Sequence, residues 1–359
     1  MPVLRRPSIK SYATNPAQTR PAPQPRIPPP SLPSFVSSVQ QTPWSFNTSQ
    51  FANTSEFREH VDPILKSEME GNLIIDHPHF FDVYFGGVTQ LKEISQVVFE
   101  ICKNIEPPLY TEGTGWLDWP EGCAETEVLR WLRKQIGQFV LFAKDHGFQP
   151  PSCRRCFTTP NKPIHGSVSK RKLDIGIKYD LKNGDQDWQE EPGNDENELN
   201  ADWSKILVPG ELKSNPQKDN HNSTWLDLTR YVREIFKAQD TRRFALGFTF
   251  CGSLLRLWEF DRLGGIASPS FDIQKDGLKL VSVILGYLWM DDKELGFDSS
   301  VSRENNTKYL EISKNNQVER LYLEILIMRH AAVVGRATTC WKAHLSKDKM
   351  QVLAVKDSW

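Results

Sequence analysis

Along residues 57–145 the apolar positions recur at helical spacing. Phe57, Val61, Ile64 and Leu65 predict a helix over 57–68, and Leu91, Ile94, Val97, Val98, Ile101 and Ile105 predict a second over 90–105. A third, 124–145, presents Val128, Leu129, Trp131, Leu132, Ile136, Phe139, Val140 and Phe142 on one broad face, with Glu125 and Glu127 in its first turn. The period then changes. Leu173-Asp174-Ile175-Gly176-Ile177 and the apolar run from Leu207 to Lys213 are short enough for strands. A helix over 224–239 follows, with Leu226, Leu228, Val232, Ile235 and Phe236 inward. Strands at 244–250 and 254–260 flank the turn Cys251-Gly252-Ser253, and a short strand at 271–273 precedes a helix over 278–290. Residues 291–315 read as polar and connective, and a further apolar strand falls at 322–327. The order of helices and strands predicts an α/β (α+β) fold, a central mixed sheet flanked by helices.

Two segments break the pattern. Residues 1–55 contain no Asp or Glu and are rich in Pro, Ser, Thr, Gln and Asn. They cannot bury enough apolar surface to offset ordering, so a disordered, solvated tail is expected rather than a proline-motif ligand. The stretch 180–202 holds nine acids against one lysine and reads as a flexible acidic insertion.

Composition narrows the function classes. With 359 residues, 38% hydrophobic and 25% charged, the chain has ample material for a core. A net charge of -1 gives no global basic field, so any nucleic acid must be met by a local patch. Six cysteines are too sparse for a disulfide scaffold, and no apolar run reaches transmembrane length. No secretory signal is evident at the amino terminus. The expectation is a cytoplasmic or nuclear protein without a membrane partner, its oligomeric state open.

Candidate chemistry centres on residues 172–213. If the two strands pair, Asp174 and Glu211 converge, while Glu211 and Lys213, two apart, share a face. Carboxylates that hold Mg²⁺ and a cation that orients water or stabilises developing charge are what phosphodiester cleavage requires. An acid inside an apolar strand also needs a polar purpose, because burying it unpaired is costly. For Glu125 and Glu127 the ordinary explanation is the favourable helix amino terminus; the alternative is a third carboxylate at the metal. Cys153-Arg154-Arg155-Cys156 is a single CxxC, which His146 and His165 alone could complete as a zinc site; free thiols are the expected state.

The arrangement of helix, strand with Asp174, strand with Glu211-Leu212-Lys213, helix and strand resembles the PD-(D/E)xK nuclease superfamily. That resemblance implies a restriction-endonuclease-like module, with Asp174 and Glu211 as Mg²⁺ ligands, Lys213 as the catalytic cation and Glu127 as the helix acid. It would act on DNA or RNA. Leu173 stands where that family usually has proline.

A longer stretch, from about Trp119 to the end, resembles the fungal-type protein kinase family. The matching blocks are Val208-Pro209-Gly210-Glu211-Leu212-Lys213-Ser214, Gln239-Asp240-Thr241-Arg242-Arg243-Phe244, Phe260-Asp261-Arg262, Gly335-Arg336-Ala337-Thr338-Thr339-Cys340-Trp341 and Val355-Lys356-Asp357-Ser358-Trp359. The resemblance implies a phosphate loop at Gly335 and an ATP-contacting lysine at Lys356 on a third strand, with ATP as cofactor and a protein as substrate. Ala337 and Cys340 replace the usual glycines, and no HRD-type loop or DFG occurs in the sequence. The expected division is a tail (1–55), a nuclease-like module (56–320) and the truncated start of a kinase lobe (321–359). Such a chain is a fragment or is inactive alone; the alternatives are a Mg²⁺ nuclease and a non-catalytic regulatory module.

Overall fold

The helical spacing of the amino-terminal half forms α1 (Arg58–Met69), α2 (Phe80–Phe85), α3 (Leu91–Asn104) and α4 (Glu125–Asp145). Between them lie β1 (Leu73–Ile74) and a small hairpin, β2 (Tyr110–Thr111) with β3 (Gly115–Trp116). On α3 and α4 the predicted faces are the buried ones, Leu91, Ile94 and Val98 on the first and Val128, Leu132, Ile136 and Phe139 on the second; on α1 Val61 and Leu65 are buried but Phe57, at its cap, and Ile64 are exposed, Met69 taking their place inward. This computed structural model describes residues 57–167, 171–179, 201–305, 307–314, 317–330, 332–345 and 348–358. The expected disordered tail and residues 180–200 of the acidic insertion lie outside the described residues.

The main sheet is assembled from β4 (Arg154–Pro163), β5 (Lys172–Tyr179), β6 (Ile206–Lys213), β7 (Ala245–Cys251), β8 (Leu254–Asp261), β9 (Gly264–Ala267) and β10 (Phe271–Asp272). Two helices complete it, α5 (Asn222–Ala238) between β6 and β7, and α6 (Gly277–Trp289) after β10. Its strand order is β1-β9-β8-β7-β6-β5-β4, with β10 paired to β8. β5 and β6 are neighbours and pair antiparallel, whereas β6 and β7 run parallel across the α5 connection. Helices cover both faces. One core cluster packs α3, α4 and α6 on the sheet, and a second packs α1 and α5 on the other side. Burial from both faces is why β6 and β7 read as unbroken apolar runs. Gly210 is required at the centre of β6, since a Cβ there would run into the Phe248 ring.

A second sheet corrects the polar, connective reading of 291–315. Here β11 (Val301–Glu304), β12 (Thr307–Lys314), β13 (Gln317–Arg329), β14 (Thr338–Leu345) and β15 (Asp348–Ser358) form a sequential antiparallel meander. β12 carries little apolar signal, because only Tyr309, Leu310 and Ile312 stand among its polar and charged residues and one face of the strand is wet. The sheet therefore begins upstream of residue 321, and its apolar face gathers Leu321, Leu323, Trp341 and Ala343. Among the described residues no helix is long and apolar enough to cross a membrane.

Candidate functional site

Pairing of β5 with β6 places Asp174 one step beyond the Ile175–Gly210 pair, beside Glu211. Asp174 accepts the Leu212 backbone N–H at 3.0 Å and lies close enough to the Glu211 carboxyl for each to act on the other's charge. Alternation along β6 turns Glu211 and Lys213 to the same side, toward α5. There Asp227 and Tyr231, one helical turn apart, receive them: Tyr231 donates its hydroxyl to Glu211 at 2.7 Å, and the Lys213 ammonium pairs with Glu211 and, at 3.0 Å, with Asp227. Asp227 also accepts from Arg230 and, at 2.8 Å, from Arg58 of α1. Arg230 reaches Asp62 of α1 at 2.7 Å. The three predicted residues thus belong to one continuous network that ends on α1.

Burial governs its electrostatics. Glu211, only 3% exposed, is pushed up to about 8, first by burial and then by the Asp174 and Asp227 charges. Asp174 is pushed up to about 6, chiefly by burial, with the Leu212 N–H opposing and Glu125 adding repulsion. Burial works against the Lys213 ammonium, yet Glu211 and Asp227 together raise it, so it stays charged. Tyr231 is raised, first by burial and then by its acidic neighbours, and serves as a donor.

These residues do not fit a resident Mg²⁺. That ion needs near-octahedral oxygens and keeps several waters. Both Glu211 oxygens are engaged, by Lys213 and Tyr231, and Asp174 is engaged by Leu212. The recess beside them, bounded by Cys123, Glu125, Val128, Leu212, Lys213, Phe250 and Gly252, has no room for a water molecule. The helix acid that acts on Asp174 is Glu125; Glu127 lines a different recess with Asp118, Arg130 and Lys134. Among the described residues no group of three or more His, Cys, Asp or Glu is placed to hold a metal, which includes the CxxC at the start of β4.

The second predicted pair lies in the meander. Gly335 falls in the β13–β14 connection at φ +108°, a conformation open to glycine. Lys356 sits on β15, opposite Cys340 of β14, and Lys342 stands opposite Ala354. Along β15, Leu353 and Val355 pack on the apolar face while Val352, Ala354 and Lys356 are exposed on the other. Lys356 is therefore presented on the open face of the sheet.

The remaining blocks of the kinase-like pattern have structural work that the sequence did not disclose. Gln239 donates to the Trp203 and Ile206 carbonyls at 2.8 and 2.6 Å, and Arg242 donates to the Leu207 carbonyl at 2.7 Å. They hold the start of β6. Asp240 pairs with Lys308 of β12 and accepts from the Trp341 indole at 3.3 Å, joining the two sheets. Asp62, Asp227, Arg230 and Tyr231 were not anticipated either. Asp227 and Tyr231 at i and i+4 offered a spacing signal, but nothing local marks α1 as their partner.

In comparison with known proteins, a family model described as fungal protein kinase matches residues 186–359. The matched span includes β6, with Glu211 and Lys213, and runs through Gly335 and Lys356; Asp174 lies upstream of it. No curated protein and no solved structure matches the chain.

Proposed function

We propose that β13–β15 form the nucleotide-contacting opening of a protein kinase lobe, and that the module before it is a non-catalytic, restriction-endonuclease-like regulatory unit. The observation that carries the kinase reading is the register of the meander: a glycine turn joins its first two strands, and the third strand offers Lys356 on an open face. In kinases a glycine-rich loop covers the ATP phosphates and the third-strand lysine pairs with them. Lys356 has no hydrogen bond or ion pair to a described residue, so its ammonium is available to the α and β phosphates. ATP, with Mg²⁺, is the expected ligand and a protein hydroxyl the expected phosphoryl acceptor. Cytoplasm or nucleus is the expected location.

For the upstream module, the order α4, β4, β5, β6, α5, β7 supports the restriction-endonuclease-like reading of the fold. The engagement of Glu211 and Lys213 supports a structural use of its acids. Titration of the full chain with a fluorescent ATP analogue, taken to millimolar concentration, tests the proposal. Lys356→Met should weaken binding at least about tenfold, the loss of one charge-assisted contact, while Asp174→Asn should leave it unchanged. Equal binding by Lys356→Met would overturn the site. Mg²⁺-dependent cleavage of DNA or RNA that Glu211→Ala abolishes would overturn the non-catalytic reading.

A further inference from the structure

The loop assigned above to nucleotide phosphates does not lie free over the sheet. Its backbone is held by the upstream module from two sides. Glu68, on the last turn of α1, accepts the N–H groups of Val333 and Val334 with a single carboxylate oxygen, at 2.8 and 3.2 Å. Arg262, just after β8, donates to the carbonyls of Ala332 and Val333, and its own carbonyl accepts the Gly335 N–H at 2.9 Å. The guanidinium is fixed in turn by stacking over the Phe236 ring, 4.1 Å from its centroid. The Val333 side chain is fully buried in the core formed by α1 and α5, beside Val61, Leu65 and Phe236.

Successive backbone N–H groups pointing to one spot are a common anion cradle, and in nucleotide sites the anion is a phosphate. Here the cradle is filled by a side-chain carboxylate. Charge nearby favours an anion at that spot, because Arg262 is close enough to Glu68 to feel its charge and Arg329, at the end of β13, is close enough to Arg262 to be repelled by it.

We propose that Glu68 is a phosphate-mimicking clamp: it occupies the amide groups of the 332–337 loop, and nucleotide must displace it before the loop can close over phosphates. The proposal rests on the nucleotide-site reading and adds its regulation, an intramolecular contact by which the α/β module keeps the kinase-like sheet from binding nucleotide. Apparent affinity is reduced by the fraction of molecules whose loop is released. Two hydrogen bonds to a charged acceptor and a buried valine make that fraction small.

The test uses the full chain and the same fluorescent ATP analogue. Glu68→Ala should tighten binding by about tenfold or more, and Glu68→Gln, which keeps an acceptor without the charge, should fall between. Hydrogen exchange at the Val333 and Val334 amides should accelerate in Glu68→Ala without nucleotide present, with a circular dichroism spectrum matching the parent chain. If Glu68→Ala binds no more tightly than the parent while Lys356→Met still abolishes binding, the clamp is overturned and the site stands. If neither the parent nor Glu68→Ala binds nucleotide, the site reading falls and the clamp falls with it, even where the amides exchange faster. Binding gained in Glu68→Ala and lost again in the Glu68→Ala, Lys356→Met double variant supports both.

Discussion

At the scale of single residues, Glu211 behaves as a proton store. Its folded value near 8 stands well above the 4.5 of an unperturbed glutamate, so between those limits the folded chain holds a proton that the unfolded chain releases. Stability from this group is complete below pH 4.5 and is lost as pH rises through about 8. Asp174, raised from 3.8 to about 6, acts with the same sign over a lower window. We expect thermal unfolding midpoints to fall as pH goes from 5 to 8, the Glu211 contribution reaching at most about 1.4 kcal/mol per pH unit. Glu211→Gln should flatten that slope while keeping the Tyr231 contact. Part of the slope should remain, because Glu259 is also raised to about 8, by burial first and Asp261 second. A Glu211→Gln melt with the parent's full slope would place the proton elsewhere.

Between elements, the joint at Asp240 is the clearest case of an acid doing connective work. Burial disfavours its charge, but Lys308 more than compensates and the carboxyl sits below its usual value of 3.8. Its contribution is therefore present above that value and is lost as pH falls through the folded one. Asp240→Asn should weaken the latch at neutral pH, and amides of β12 and β14 should exchange about tenfold faster or more, given that hydrogen bonds to charged groups contribute about 1.5–3 kcal/mol. Unchanged exchange would show that the sheets are held by apolar contact alone. The elements themselves were largely legible in the sequence. Helical spacing gave α1, α3 and α4 within a residue or two because each buries one stripe, and α5 and α6, buried on most of their surface, were legible from their density of apolar positions. β5 to β8 were legible as short apolar runs for the same reason, burial on both faces. β11, β12 and β4 were not, since a strand wet on one face, or carrying Arg154 and Arg155, has too few apolar positions to register. In the site, Asp174, Glu211 and Lys213 could be brought together from strand spacing alone. Their closure by Tyr231, Asp227 and Arg58 depends on how α1 and α5 pack, and no local pattern encodes that.

Among the described residues, the second sheet is fastened to the α/β module at separated points, two of which stand out. Asp240 holds the middle of the meander, and Val333, with the Glu68 and Arg262 contacts, holds the tip of the β13–β14 connection. The buried tip lies in the same core as α1 and α5, so release of the tip and loss of that core are coupled. These two anchors predict that the main sheet and the meander unfold together, with amides of both losing exchange protection in one coincident transition. Val333→Asp should break that coupling. It replaces about 1.5–3 kcal/mol of apolar burial with a buried carboxylate beside Glu68, so that two like charges must share the Arg262 guanidinium inside the core. The meander should then melt first, amides of β12 to β14 losing exchange protection at a lower temperature than those of α4 and α5, and the coincidence of the two signals should be lost. If both signals shift together by the same amount, the tip is packed against the module without being the link that makes the two sheets cooperative, and the coupling runs through Asp240.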